Sequence, residues 1–193
     1  SPAFTLEEAH VTAEFGRRAL GTDKLSTFTR NSARRLEAMF GKNTSTNSLD
    51  ELNATELIMM VGAFNENPVA AAKIRAAVKN GAKLIIISRE PSLVDDIATF
   101  RITPDNHTGI LKQVLASVIN SGLTVQGFIE ERVTGFQELK QALSTVEPCD
   151  EAKKAAELYG RAKKAMIIAD GTAVTTAGVQ LLADLALITG KVG

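Results

Sequence analysis

Leu57-Ile58-Met59-Met60-Val61-Gly62 is the stretch that decides the fold. Five apolar residues in a row, with no polar alternation, predict a strand buried on both faces, as in a parallel sheet. Gly62 ends it. Asn67-Pro68 follows as a helix cap with proline at the first helical position, and that helix runs through Ile74 and Val78 to a stop at Asn80-Gly81. Leu84-Ile85-Ile86-Ile87 is the next buried strand, so a strand–helix–strand unit is nearly written out.

Working outward toward the C-terminus, a short helix is expected over 93–98 and a short strand over 99–102, before Pro104 and Asp105 break the chain. Ile110, Leu111, Val114, Leu115, Val118 and Ile119 recur with helical spacing and predict a strongly amphipathic helix. Two short helices separated by Thr134-Gly135 fill 122–147, and a further helix covers 149–162. Ala165-Met166-Ile167-Ile168-Ala169 is a third buried strand, Asp170-Gly171-Thr172 its exit turn, and a helix rich in Leu and Ala covers 175–188 with a stop at Gly190. Toward the N-terminus, Thr5 with Glu8 forms a capping box, with Gly21 as the expected stop. A second helix is expected over 31–40, then a polar stretch over 42–48, then a helical turn holding Asp50 and Glu51. The expected fold class is α/β: a three-layer αβα domain with a mainly parallel, Rossmann-like sheet over 1–193, in which 1–53 is a helical N-terminal portion.

Composition narrows the function. The 193 residues carry 22 Lys+Arg and 22 Asp+Glu, giving a net charge of zero. Nucleic-acid binding calls for a basic excess that is absent here. The longest apolar run is too short to cross a bilayer. The single cysteine, Cys149, excludes an intramolecular disulfide and cannot alone ligate an iron–sulfur cluster.

In a parallel sheet, ligands bind beyond the carboxyl ends of the strands. The loops to inspect are therefore 62–67, 88–91, 103–108 and 170–176, whose small and polar residues suit a nucleotide-like ligand held by backbone N–H groups. Ordinary turns and caps would carry the same residue types. No G-x-G-x-x-G follows a strand, and Gly41-Lys42 lacks the rest of a P-loop. His10 and His107 have no second ligand at metal spacing. His107 reads as a capping residue at a helix start rather than a proton shuttle, Cys149 as a small first-turn residue rather than a reactive thiol. Asp95-Asp96 and Glu130-Glu131 read as solvated helix faces.

Taken together, Thr46-Asn47-Ser48, Leu49-x-Glu51-Leu52, Leu57 to Gly62, Asn67-Pro68-Val69, Ile74-Arg75 and Asn80-Gly81-Ala82-Lys83-Leu84-Ile85 resemble the large subunits of prokaryotic molybdopterin oxidoreductases. Glu7-Glu8-Ala9 upstream, and Phe128-Ile129-x-x-Arg132-x-x-Gly135-Phe136-x-Glu138-Leu139 and Leu185 to Gly190 downstream, continue the resemblance in order. Formate dehydrogenase alpha subunits and the G subunit of the proton-pumping NADH:quinone oxidoreductase (complex I) belong to that family. The central domain of thiamin-dependent enzymes also ends in a strand, a Gly turn and an Ala/Leu-rich helix, but has no counterpart to 46–62.

The resemblance implies cofactor loops at the strand ends. The family's Gly-x-Asn falls on Gly62, with Asn65 displaced. Its Asp-Pro-Arg falls on Ser88-Arg89-Glu90, without the acidic residue. Its third loop falls on Pro104-Asp105-Asn106-His107-Thr108, and its Gly-x-Gly-Val-Thr-Gln on Gly171-Thr172-Ala173-Val174-Thr175-Thr176. Gly62, Asn65, Ser88, Arg89, Asp105, Gly171 and Thr172 are thus the cofactor-binding positions by resemblance, with the loops eroded by added Cβ atoms and a lost carboxylate.

The family's metal-ligating Cys or selenocysteine, catalytic His and cluster cysteines are not found in these residues. This points to a scaffold domain of the NADH:quinone oxidoreductase type: an internal, non-catalytic piece of a longer chain, with no cofactor or metal here and iron–sulfur clusters in the parent chain. The alternative is the bis-molybdopterin guanine dinucleotide-binding domain of a formate dehydrogenase-like enzyme. Either implies partners among the domains and subunits of a respiratory or formate-oxidising complex, a cytoplasmic location peripheral to the inner membrane, and no transmembrane segment.

Overall fold

A computed structural model describes residues 5–24, 41, 47–65, 67–171 and 173–192. The chain divides into two units, Ser1–Asn31 and Ser32–Gly193. In the first, helix α1 spans Leu6–Arg18. Thr5 caps it as expected: its side chain accepts from the Glu8 N–H, and the Glu8 carboxylate accepts from the Thr5 N–H. The helix ends before Gly21, where Arg17 and Arg18 both reach back to Glu14. The helix expected over 31–40 lies outside the described residues.

The second unit is built on a parallel sheet of four strands: β1 Leu57–Val61, β2 Lys83–Ile87, β3 Phe100–Ile102 and β4 Ala165–Ala169, in the order β3-β2-β1-β4. Leu57 stands opposite Lys83 on one side and Ala165 on the other, and Ile85 opposite Phe100. The unbroken apolar runs have their cause in two separate cores. Leu57, Met59, Val61, Ile85 and Ile87 point to one face; Ile58, Met60, Leu84 and Ile86 point to the other. Each such fully buried side chain contributes about 1.5–3 kcal/mol of transfer free energy.

Over the second face lies helix α2, Pro68–Lys79, which packs Ile74 and Ala77 beside Leu52 of a 3-10 turn, Leu49–Ala54. Asn67 caps α2, its side-chain oxygen accepting from the Ala70 N–H at 3.0 Å. Replacing Asn67 with alanine is expected to cost about 1 kcal/mol, read as a lower urea midpoint with an unchanged slope.

Over the first face lie α3 (His107–Asn120), α4 (Gln126–Arg132), α5 (Phe136–Leu143), α6 (Asp150–Arg161) and α7 (Thr176–Ile188). Helix α3 is central and packs on both α6 and α7. It buries Ile110, Leu111, Val114, Leu115 and Val118, the face its spacing predicts. The layers are therefore helix, sheet, helix, as the sequence suggests.

Two local expectations are corrected. The short helix over 93–98 is only a 3-10 turn, Asp95–Ile97; its acidic pair does face solvent as expected, Asp96 exposed and Asp95 partly so, but each carboxylate is paired. Asp96 is held by both guanidinium nitrogens of Arg75, at 2.6 and 2.8 Å, which lowers its carboxyl below the usual range, and Asp95 is paired to Arg101. His107 opens α3 but does not cap it; Asn106 does, accepting from the Thr108 N–H at 2.9 Å.

Candidate functional site

The strand order places the topological switch at β1. From there the chain steps outward through β2 to β3, then returns to build β4 on the opposite side. The crevice at a switch point, beyond the carboxyl ends of the strands, is the general ligand position of such sheets. Gly62 closes β1 there, and its N–H donates to the Ile87 carbonyl at 3.0 Å. Its φ of +101° is a region L-residues avoid, and a Cβ would stand 2.4 Å from Cβ of Asp170 and 3.1 Å from Cβ of Ala173. Glycine is thus required by both backbone conformation and space.

Between these two strand ends lies a cavity of about 330 Å³, lined by Ala63, Phe64, Asn65, Glu90, Asp170 and Gly171 among others. Phe64 is left-handed with φ +54°, an uncommon and strained conformation for an aromatic residue. Strain of this kind gathers at ligand sites, and here it forms part of the cavity rim.

The positions singled out in the sequence come together unequally. Gly62, Asn65 and Gly171 line or close the crevice. The Asn65 side chain, however, holds a neighbouring loop: its amide donates to the Pro91 carbonyl at 2.9 Å, and its oxygen accepts from the Leu93 N–H at 3.2 Å. Ser88 is buried, and its hydroxyl closes a turn against the backbone of Glu90, donating to the carbonyl at 2.9 Å and accepting from the N–H at 3.1 Å. Arg89 and Asp105 are exposed and adjacent, the guanidinium donating to the Asp105 carbonyl at 3.4 Å. Thr172 lies outside the described residues.

Sequence reading missed the residue that organises this rim. Arg101, on β3, donates to the carbonyls of Ser88 and Glu90 at 3.1 and 2.8 Å and pairs with Asp95. One guanidinium thereby fixes the loop that follows β2. An arginine within a short strand was the available signal, but its partners lie 6 to 13 residues away and carry no local pattern.

The starts of α3 and α7 meet at the same edge, where the Thr108 and Thr175 hydroxyls are 3.0 Å apart. His107 is half-buried there, and its Nε2 has no hydrogen-bond partner among the described residues. Burial, then the nearby Arg89 charge, lower its pKa and favour the neutral imidazole. Among the described residues no group of three or more His, Cys, Asp and Glu could hold a metal ion.

Chemically, this edge offers two kinds of contact. Glu90 and Asp170 supply carboxylates to the crevice, which suit hydroxyl and amine donors. Arg89 is the exposed guanidinium beside them, suited to an anionic group. Acceptors and a guanidinium thus stand together at one edge, where Gly62 lets the loop after β4 pack directly against the end of β1.

No family model matches the chain. It is 28% identical over 212 aligned positions to the F420-dependent formate dehydrogenase subunit alpha of Methanocaldococcus jannaschii, covering 98% of this chain and 31% of that protein. It is 26% identical to formate dehydrogenase H of Escherichia coli, covering 97% of this chain and 29% of that protein. It is also 26% identical to the assimilatory nitrate reductase catalytic subunit of Bacillus subtilis, covering 30% of that protein. The chain thus spans under a third of these relatives' length. Among solved structures, acetylene hydratase from Pelobacter acetylenicus superposes with a TM-score of 0.69 at 22% identity over 84% of this chain and 24% of that one, a likeness of fold. These relatives support the resemblance to molybdopterin oxidoreductases and to formate dehydrogenase alpha subunits. They do not support the NADH:quinone oxidoreductase component as the better match. No helix among the described residues is long and apolar enough to cross a membrane.

Proposed function

We propose that this chain is a guanine dinucleotide-binding domain of a formate dehydrogenase-like molybdopterin oxidoreductase. The observation that carries this reading is the crevice between β1 and β4, where a glycine that tolerates no Cβ faces Asp170 beside a cavity of about 330 Å³. Similarity to formate dehydrogenase alpha subunits over nearly the whole chain supports it.

In this reading Gly62 shapes the crevice by letting the loop after β4 close against the end of β1. Glu90 and Asp170 accept hydrogen bonds from the nucleoside, and Arg89 pairs with an anionic group. Asn65 and Ser88 act indirectly by fixing the loop over 88–93, while Asp105 orients Arg89 through its carbonyl. Gly171 belongs to the facing loop, and Thr172 follows it in sequence. The cofactor, when bound, supplies redox chemistry at its metal; the residues of this chain bind and orient it. Electron transfer and iron–sulfur clusters are assigned to other parts of the parent protein and to partner subunits, in a cytoplasmic complex.

Calorimetric titration with GDP tests the reading. A sub-millimolar Kd is expected, and Arg89→Ala should weaken it about 5- to 10-fold, the effect of losing one charge-assisted hydrogen bond. No binding up to about 5 mM would sink it. A second reading is then favoured by the Asn65 and Ser88 side chains being turned to hold their own loop: a scaffold domain whose cofactor loops no longer grip a ligand.

A further inference from the structure

Away from the strand ends, the loop after α4, helix α5 and helix α7 enclose a cavity of about 390 Å³. Val133, Phe136, Leu139 and Leu187 form apolar walls, and two carboxylates, Asp184 of α7 and Glu138 of α5, line it. No lysine or arginine does. Asp184 makes no hydrogen bond or ion pair with any described residue, although it is partly buried. Burial among apolar groups pushes its pKa up to about 6.

Two cations close in sequence to the lining are engaged elsewhere, and the exposed Lys140 of α5 does not line the cavity. The Arg132 guanidinium lies 5.9 Å from the Phe128 ring centre. Lys191 donates to the Gly160 carbonyl at 3.2 Å and sits over the Tyr159 ring. A partly buried carboxylate with no partner is unfavourable unless a cation meets it. The charge is negative and the walls are apolar, so the complement is a cation at the end of an aliphatic stem.

We propose that this cavity is a socket for an arginine or lysine side chain of a partner polypeptide, its stem lying along Phe136 and Leu187 and its cation pairing with Asp184. Such side chains bury their methylenes on apolar surface while keeping the charged head on a polar partner. The inference is independent of the strand-end site.

The test is an NMR titration of the 193-residue chain with three probes: Nα-acetyl-arginine amide, its neutral isostere Nα-acetyl-citrulline amide, and agmatine. The arginine amide is expected to shift the amides of 133–142 and 180–188, and to bind about tenfold more tightly than the citrulline amide. In Asp184→Asn that preference should vanish. Equal affinity for charged and neutral probes, shifts confined to other regions, or no binding by any probe would overturn the proposal. Agmatine binding tenfold more tightly than the arginine amide would overturn the polypeptide assignment and give the socket to a small free amine.

A stability readout guards against misfolding of the variant. Asp184→Asn is expected to raise Tm by about 2–4 °C at pH 8. The sign follows from the raised pKa: the folded state holds the proton more tightly than the unfolded one. The contribution of Asp184 is therefore fully favourable below about pH 4, and it is lost as pH rises through 6. The gain should accordingly fade toward pH 4. A destabilised variant at pH 8 would show that Asp184 already has a partner, and would sink the idea.

Discussion

Replacing Gly62 with alanine is expected to lower stability by about 3–5 kcal/mol. Two costs add. An L-residue at φ +101° is strained whatever surrounds it, and the new Cβ would meet Cβ of Asp170 at 2.4 Å. That neighbour is the first side-chain atom of a residue whose N–H donates to the Val61 carbonyl at 2.8 Å, so it cannot swing aside like the tip of a long chain. The parting of β1 and β4 would follow, and with it loss of the crevice. Gly81 provides the control. Its φ is +105°, yet no atom lies within 4 Å of where its Cβ would stand. Gly81→Ala should therefore show the conformational cost alone, about 1–2 kcal/mol. Urea unfolding of the two variants separates the contributions. Equal losses would show that the close approach of Asp170 has no energetic weight.

The second large effect belongs to Arg101. Arg101→Met keeps the aliphatic stem and removes the guanidinium, taking a donor from the Ser88 and Glu90 carbonyls and from the Asp95 carboxylate; Glu90 keeps the Ser88 hydroxyl and Asp95 the Ser92 N–H. A partly buried acceptor stripped of its partner costs about 1–3 kcal/mol. Access of water to this rim moderates the sum to about 2–3 kcal/mol. The loss should be local before it is global. Amide hydrogen exchange over 88–95 should accelerate by at least about tenfold, while that of β1 and β2 changes only with overall stability. If exchange over 88–95 stays at its original rate, Arg101 does not hold the loop.

The contrast between what was legible in the sequence and what was not has a physical origin. Strands β1 and β4 match the bounds expected from their apolar runs, and β2 and β3 differ by one residue at the start. A strand covered on both faces leaves a continuous apolar signature that needs no tertiary information. Caps are equally local: Thr5 with Glu8, Asn67 with Ala70, and Thr175 with Gly178 bond within three residues. The rim was another matter. Asn65 bonds to residues 26 and 28 positions away, and Arg75 to one 21 away. Such pairings arise only once the sheet has brought three loops to one edge. Asp184 went unnoticed because one acidic residue in a Leu- and Ala-rich helix suggests a solvent-facing side. In the folded unit, α5 covers that side in part.

The hydroxyl contact between Thr108 and Thr175 couples two segments that are 67 residues apart in sequence. The loop that leaves β3 and the loop that leaves β4 end on helices tied at their first turns, so they form one jaw rather than two independent fingers. Displacing one of them, by an insertion for instance, would therefore move the start of the other's helix as well.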